Sequence, residues 1–366
     1  MRVICDRGAL LDALNMVGPV VITRTPKPVL ACVKLSAQDG GLTLAATDLE
    51  AAVRVTINQV EVSEPGEVLV LADKLNQIVR ESVDPTLTLD TEDDAIHIRG
   101  QDAHFKVLGY PVGEFPTLPE LTGKGDFEIS ATDLAVLINQ TVFATARENS
   151  RYAINGVLFE LEGNKITVVA TDGRRLAMSK GSCKSVNGDG STLVIIPTRT
   201  LGILNRVLDT ADKPVKIKLT DNQVIFATES ATLSSNLVEG NFPPYHDVIP
   251  RGGDKKATLN TGKLALAVRQ AALLTNEESK GVRLSFGEKG LKLSSRAPEM
   301  GEAEIDVEMP KYEGDAVEIG FNPSFILDAL KVVQSDEVQF DLKASNKPGV
   351  LRTGPNFLYV VMPVNL

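Results

Sequence analysis

Strand-like alternation of apolar and polar residues covers 2–5, 29–36, 41–46 and 51–58. A stretch with helical spacing, 6–17, follows the first of these and carries Leu10 and Leu14. From Gly66 the order begins again. A strand at 66–72 leads into a helix at 72–83 with Leu75, Ile78 and Val79 on one face, then into strands near 85–90, 95–99 and 104–109. The pattern predicts β-α-β-β-β, twice. Further helical stretches at 131–147, 198–209, 261–275 and 322–333 carry the same order through the rest of the chain. Leu201, Leu204 and Leu208 stand at helical intervals, and Asn322-Pro323 has the form of a cap followed by proline in the first turn. Six helices and eighteen or more strands predict an α+β fold.

The pattern is also a repeat. "GGLTLAATDLEAAVRV" (40–55), "NKITVVATDGRRLAMS" (164–179) and "KGLKLSSRAPEMGEAE" (289–304) align, with Ala46, Ala170 and Ser294 spaced by 124 residues. The helical pairs Leu10/Leu14, Leu134/Ile138 and Leu264/Val268 recur at a similar phase. So do "EFPTLPEL" (114–121), "NFPPYHDVIP" (241–250) and the final "VVMPVNL". Boundaries at the Gly/Lys-rich "LTGKGD" and "PRGGDKK" predict three domains, 1–122, 123–252 and 253–366. The final "FLYVVMPVNL" has eight apolar residues in ten, and in this scheme it supplies the last strand of the third domain.

Composition removes several function classes. No apolar run approaches the roughly 20 residues that span a bilayer, and the N-terminal stretch interrupts its apolar residues with acids and Asn, against a signal peptide. Cys5, Cys32 and Cys183 form no CxxC pair, so a reducing, cytoplasmic setting is expected and the sequon at Asn139 is chance. The three histidines, His97, His104 and His246, show no ligand spacing, and His97 and His104 are expected at the surface. There is no GxSxG, and the glycine–lysine pairs at Gly123 and Gly262 lack the upstream glycine of a P-loop. "TDLE" and "TDGRR" recur at one phase of the repeat, which suits turn formation better than catalysis. No enzyme activity, cofactor or metal is expected.

The net charge of −10 argues against gripping nucleic acid by bulk charge. The charge is unevenly spread, however. The six helical stretches hold nine Lys/Arg and seven Asp/Glu, so of the 38 basic and 48 acidic residues, 29 and 41 lie elsewhere. The helices are net +2 and the remainder −12. Two loops add cations, "TRTPKP" with Arg24 and Lys27 and "TARENSRY" with Arg147 and Arg151.

At this point the residues show a resemblance. "TDLE", "RYAINGVLFE" (151–160), "VATDGRRLA" (169–177), "FPPYHDVIP", "NEESKGVRL" (276–284), "EIGFNPSFILDAL" (318–330) and "YVVMPVNL" together resemble the bacterial sliding clamp, the beta subunit of DNA polymerase III, over the whole chain. The resemblance implies three repeated clamp domains and a head-to-tail dimeric ring, with helices lining the inside and antiparallel sheets outside. Such a ring would encircle and slide on double-stranded DNA as a processivity factor. Retention by topology needs few phosphate contacts, which removes the objection from net charge. The DNA-facing side would include Arg24, Lys74, Arg80, Arg147, Arg151, Arg199, Arg206 and Lys263. The ring junction would bring Phe105 and Val107 against Leu273 and Leu274.

The family also implies a cleft between the second and third domains for short peptides, with a Gln and apolar or aromatic anchors, from replicative polymerase, clamp loader and repair proteins. Carried over by motif, its residues would be Ile154, Thr171, Gly173, Arg174, Arg175, Leu176, Pro243, Val248, Asn322, Phe325, Val360, Val361, Met362, Pro363 and Val364. Strand alternation would send one of Val360 and Val361 inward and the other to the groove. The chain departs from the enteric pattern at Ala153, Arg174, Asp247, Phe325 and Asn365, all bearing on the rim. Two competing classes are an enzyme with an unrecognised site and a repeat scaffold that never meets DNA.

Overall fold

The computed structural model describes residues 1–38, 40–146, 153–186, 190–208, 212–275 and 281–365. They form two compact units. The first comprises Met1–Thr132, Cys183–Gly188 and Arg199–Leu237, the second Asp133–Ser182, Asp189–Thr198 and Val238–Leu366. Six α-helices are present among the described residues: α1 (Arg7–Val17), α2 (Ala72–Glu81), α3 (Ala131–Asn139), α4 (Thr198–Val207), α5 (Thr261–Ala271) and α6 (Pro323–Val332).

The first unit is built on a 14-stranded antiparallel sheet. Its middle is the meander Cys32–Gln38, Gly41–Thr47 and Ala51–Ile57, flanked by Gly66–Leu71 and Ala231–Asn236. Helix α1 starts where the Asp6 side chain accepts a hydrogen bond from Ala9 N at 2.8 Å. It buries Leu10, Ala13, Leu14 and Val17 against Gly41–Thr47 and Ala51–Ile57, and α2 packs beside it. The helical spacing of these four residues is the reason the stretch folds as a helix here.

The second unit holds a nine-stranded and a four-stranded sheet. In the larger sheet the strand Phe357–Val361 lies between Arg175–Ser182 and Gly349–Thr353 and is buried along its whole length. The four-stranded sheet runs Gly301–Val307, Gly290–Ala297, Val282–Gly287, Val317–Phe321, and α5 packs on the first two strands with α6 alongside.

Strand register carries the repeat into three dimensions. Phe159 pairs with Val168 and Ala170 with Ala177, which are the pairs Leu35–Leu44 and Ala46–Val53 advanced by 124 residues. In the third repeat Arg283 pairs with Ser294, two residues beyond the strict equivalent. A slip of two in this pair keeps its side chains on their own faces, while the next pair, Ser294 with Glu304, lies three residues beyond its equivalent.

Several expected boundaries move. The helix expected over 131–147 ends at Asn139. Thr141 turns its hydroxyl back onto the carbonyls of Leu137 and Ile138, and a 3-10 turn follows at Val142–Ala144. The helix expected over 261–275 likewise tightens into a 3-10 turn at Ala272–Leu274. The expected strand 29–36 begins only at Cys32, because Pro28 opens a 3-10 turn through Ala31. Val60–Glu64 forms a strand that the alternation pattern passed over; it pairs with Arg2–Asp6, across about half of the first domain-sized segment. No helix among the described residues is long and apolar enough to cross a membrane.

His97 is a correction of another kind, whereas His104 is exposed as expected. His97 is buried, and its Nδ1 lies 2.8 Å from Nε2 of His104, with the rings stacked at 5.1 Å. Seven residues apart in sequence, they meet because adjacent strands pair Ile98 with Phe105.

Burial sets the chemistry of two thiols. It pushes Cys5 up from 9.0 to about 12, with a lesser push from Asp6, and Cys32 up to about 11. The folded chain therefore holds protons that the unfolded chain releases near pH 9. This contribution to stability is complete below pH 9 and is lost as pH rises toward 12. Urea midpoints are expected to fall over that window, less steeply in Cys5→Ala, and a thiol reagent at pH 8 is expected to label Cys5 and Cys32 only after unfolding.

Candidate functional site: an apolar pocket beside the last strand

Two turns of one design sit at matching places in the first two repeats. In "TDLE", the Thr47 hydroxyl donates to Ala51 O and accepts from Leu49 N, while Asp48 Oδ1 accepts from Glu50 N and Ala51 N. In "TDGRR", Thr171 donates to Arg175 O and accepts from Gly173 N, while Asp172 Oδ1 accepts from Arg174 N and Arg175 N. Both turns need a left-handed third residue: Leu49 has φ 77° and Gly173 φ 85°. A leucine there costs roughly 1 kcal/mol of backbone strain that a glycine avoids. The recurrence is structural, as the sequence implied, but the glycine leaves open space: a Cβ at Gly173 would meet nothing within 4 Å.

That space is a pocket of about 200 Å³ lined by Ile154, Thr171, Gly173, Arg175, Leu176, Pro243, Tyr245, Val248, Val360 and Met362. Behind it stands a buried cluster that includes Leu158, Val169, Leu176, Met178, Ile195, Tyr245, Leu358 and Val360, so the wall cannot readily give way. Met362 and Val248 remain exposed at its mouth, at 38% and 47%. The pairs Leu176–Val360 and Arg175–Val361 fix the last strand against the turn. Beyond it, Met362 N donates to Arg174 O at 2.9 Å, and Val364 N donates to Gly320 O at 2.8 Å. The tail thus leaves the nine-stranded ladder at Pro363 and is held by single backbone bonds.

Arg175 is the charged member of the wall, and it is already engaged. Its Nε donates to Asp172 at 3.0 Å, Nη1 to Asp328 at 2.8 Å and Nη2 to the carbonyl of Phe143 at 2.8 Å. Its guanidinium lies 4.6 Å from the ring centre of Phe325 and 5.5 Å from that of Phe143. Burial works to lower its pKa, but Asp328, Tyr359 and Asp172 outweigh it and the net shift is upward. Tyr359 donates to the carbonyl of Phe325, which ties the last strand to α6. The result is an apolar recess whose one cation is neutralised, suited to uncharged side chains.

Of the residues carried over by motif, nine line this pocket. Val361 does not: it lies on the opposite face of the strand from Val360 and is fully buried in the core. Arg174 is exposed and contributes its carbonyl to the tail. Asn322 caps α6 through Ser324 N, and Phe325 packs on Arg175 instead of opening to the pocket. Pro363 and Val364 border a separate depression with Arg283, Glu318, Ser345, Asn346 and Asn365. Sequence reasoning passed over Tyr245. A 3-10 turn at Tyr245–Asp247 brings it inward, and its hydroxyl donates to Glu160 at 2.6 Å; burial and that carboxylate raise its pKa. The clue was present, since Tyr245 sits in the same "FPPYHDVIP" motif that supplied Pro243 and Val248.

The other expected sites are dispersed. Arg24, Lys74, Arg80, Arg206 and Lys263 are exposed, Lys263 next to Glu308 at 2.9 Å. Arg199 is occupied: it bonds Asp48 of the first turn and the carbonyl of Pro19. Arg147 and Arg151 lie outside the described residues. Phe105 is 39% and Leu273 76% exposed, while Val107 and Leu274 are half-buried. The strand His104–Tyr110 pairs along its length with Ala95–Arg99 but with Gly66–Leu71 only at Gly109 and Tyr110, which leaves the other edge of 104–108 open among the described residues. Leu108 on that strand is also exposed. No group of three or more His, Cys, Asp or Glu among the described residues could hold a metal ion.

Comparison with known proteins covers the entire chain. Residues 1–119, 128–244 and 246–365 match the N-terminal, central and C-terminal domains of the DNA polymerase III beta subunit. A beta sliding clamp of Pseudomonas aeruginosa is 36% identical over 100% of both chains, and that of Escherichia coli 32% over the same extent. Among solved structures, a Pseudomonas aeruginosa sliding clamp bound to griselimycin superposes with TM-score 0.93 at 35% identity, covering 100% of both chains. The Bacillus subtilis clamp has the same TM-score at 27% identity, covering 100% of this chain and 99% of its own.

Proposed function

The chain belongs to the family of DNA polymerase III beta subunits, the bacterial sliding clamps, and from that premise we propose how it works as a processivity factor. Two copies close head to tail into a ring around duplex DNA, and the pocket beside the last strand tethers replicative polymerase, clamp loader and repair proteins through short peptides. The family is one of non-catalytic accessory factors, so the chain's own work is binding and retention. The observation that carries the reading is the full-length, three-domain correspondence, joined to a pocket whose apolar lining suits peptide anchors.

Lys74, Arg80, Arg206, Lys263 and Arg24 serve as weak, sequence-blind contacts to phosphate that let the ring slide. Arg199 instead fastens the "TDLE" turn. The decisive experiment loads the protein, with a clamp loader, onto nicked circular DNA and then linearises it. Retention on the circle and rapid loss after cutting are expected; equal release from both forms would exclude topological tethering.

The open edge at 104–108 with Phe105 is the first half of the ring junction, and Leu273 with Leu274 the second. Sedimentation at micromolar concentration is expected to give twice the 39.3 kDa of one chain. Phe105→Asp, which places a charge in a contact that excludes water, is expected to sediment as a monomer with its circular dichroism unchanged. A dimeric Phe105→Asp protein would move the junction elsewhere.

A further inference from the structure

Resting on the peptide-pocket reading, we propose that Asp328 is a positioning residue that acts through Arg175 to make the pocket select uncharged anchors. Arg175 lines the pocket, yet each of its three nitrogens is already bonded, and Asp328 supplies the one carboxylate partner contributed by α6. The side chain of Arg175 is 11% exposed and that of Asp328 30%. The backbone of Arg175 is held in the ladder opposite Val361, so its side chain can be redirected only about its own torsions. Phe325 and Phe143 lie against the guanidinium, and Asp328 holds its Nη1 at 2.8 Å. The other oxygen of Asp328 accepts from Lys331 at 3.2 Å, so the cluster of Asp172, Asp328, Arg175 and Lys331 carries two charges of each sign.

Removing the Asp328 charge leaves Arg175 with Asp172 as its one carboxylate partner and takes the partner of Lys331 as well, so the cluster beside the pocket gains one net positive charge. A pocket with a neutralised cation favours an apolar or aromatic anchor; one with an under-neutralised cation accepts a carboxylate. Asp328 therefore decides selectivity without touching the peptide.

The test uses the full chain and two synthetic pentapeptides that begin with Gln, one ending Leu-Phe and the other Leu-Glu, with affinities read by fluorescence polarisation. In Asp328→Asn, affinity for the Leu-Phe peptide is expected to fall about tenfold while the Leu-Glu peptide holds or gains, so that the preference between them narrows. Asp328→Glu is expected to restore most of the preference. In an Arg175→Gln background, Asp328→Asn is expected to change neither affinity. Equal weakening of both peptides, or a further loss in the Arg175→Gln background, would overturn the proposal by showing a general loosening. If Asp328→Asn does not fold by circular dichroism, Asp328→Ser provides the same loss of charge. A wild-type protein that binds neither peptide overturns the pocket reading and this proposal with it. A wild-type protein that binds the Leu-Phe peptide, with Asp328→Asn indistinguishable from it, overturns this proposal alone.

Discussion

Deleting residues 362–366 is expected to abolish binding of a Gln-containing peptide with apolar anchors and to leave the dimer intact. The strand Phe357–Val361 stays in the deletion, with both of its ladders complete, so the sheet keeps its closing strand. The segment removed contributes Met362, an exposed and adaptable side chain at the pocket mouth, and two backbone bonds that hold the tail to Arg174 and Gly320. Loss of one wall of a small apolar recess is worth about 2–4 kcal/mol in peptide binding, a fall in affinity of about 30- to 900-fold. Calorimetric titration of wild-type and truncated proteins with the same peptide measures it. An unchanged affinity would remove the tail from the site, and a monomeric truncation would mean the tail also supports the junction.

The second large effect concerns Gly173. Gly173→Leu is expected to close the pocket without unfolding the protein. Leu49 shows that this turn accepts leucine at positive φ, with the same Thr and Asp bonds in place. The strain of roughly 1 kcal/mol is a small part of a domain's stability, whereas the new side chain projects into a space of about 200 Å³. Peptide binding is expected to drop below detection, with the thermal midpoint lowered by a few degrees at most. A variant that still binds peptide would show that the anchor does not use this space. Within one chain, the first repeat is a control for the second: where the turn borders the pocket it carries Gly173, and its counterpart carries Leu49.

How far the residues spoke for themselves differed by scale. The helices were legible because each buries a face spaced at helical intervals, as Leu10, Ala13, Leu14 and Val17 do. Their ends were less so, since the stop after Asn139 depends on the Thr141 hydroxyl competing for backbone carbonyls, a local bond that periodicity does not register. Val60–Glu64 was missed because its ladder partner lies near the chain start, and half-exposed edge strands carry weak alternation. The site followed the same division. Residues on the strand and its turn were reached by motif. Tyr245 and Asp328 were not, because each matters through a partner distant in sequence: Glu160 for the first, Arg175 for the second. The His97–His104 contact was invisible for a related reason, since it needs the hairpin register to be known first.

The placement of Phe357–Val361 has a consequence for biosynthesis. The strand pairs Val361 with Arg175, so a sheet position opened near residue 175 is filled only some 186 residues later. Until then a ribosome-bound chain exposes the edge of Arg175–Ser182 and lacks Val360 and Met362 from the pocket lining. Chains not yet extended through Phe357–Val361 would therefore depend on chaperones to cover that edge. A closing strand drawn from so far along the chain ties formation of the pocket to synthesis of residues 357–362.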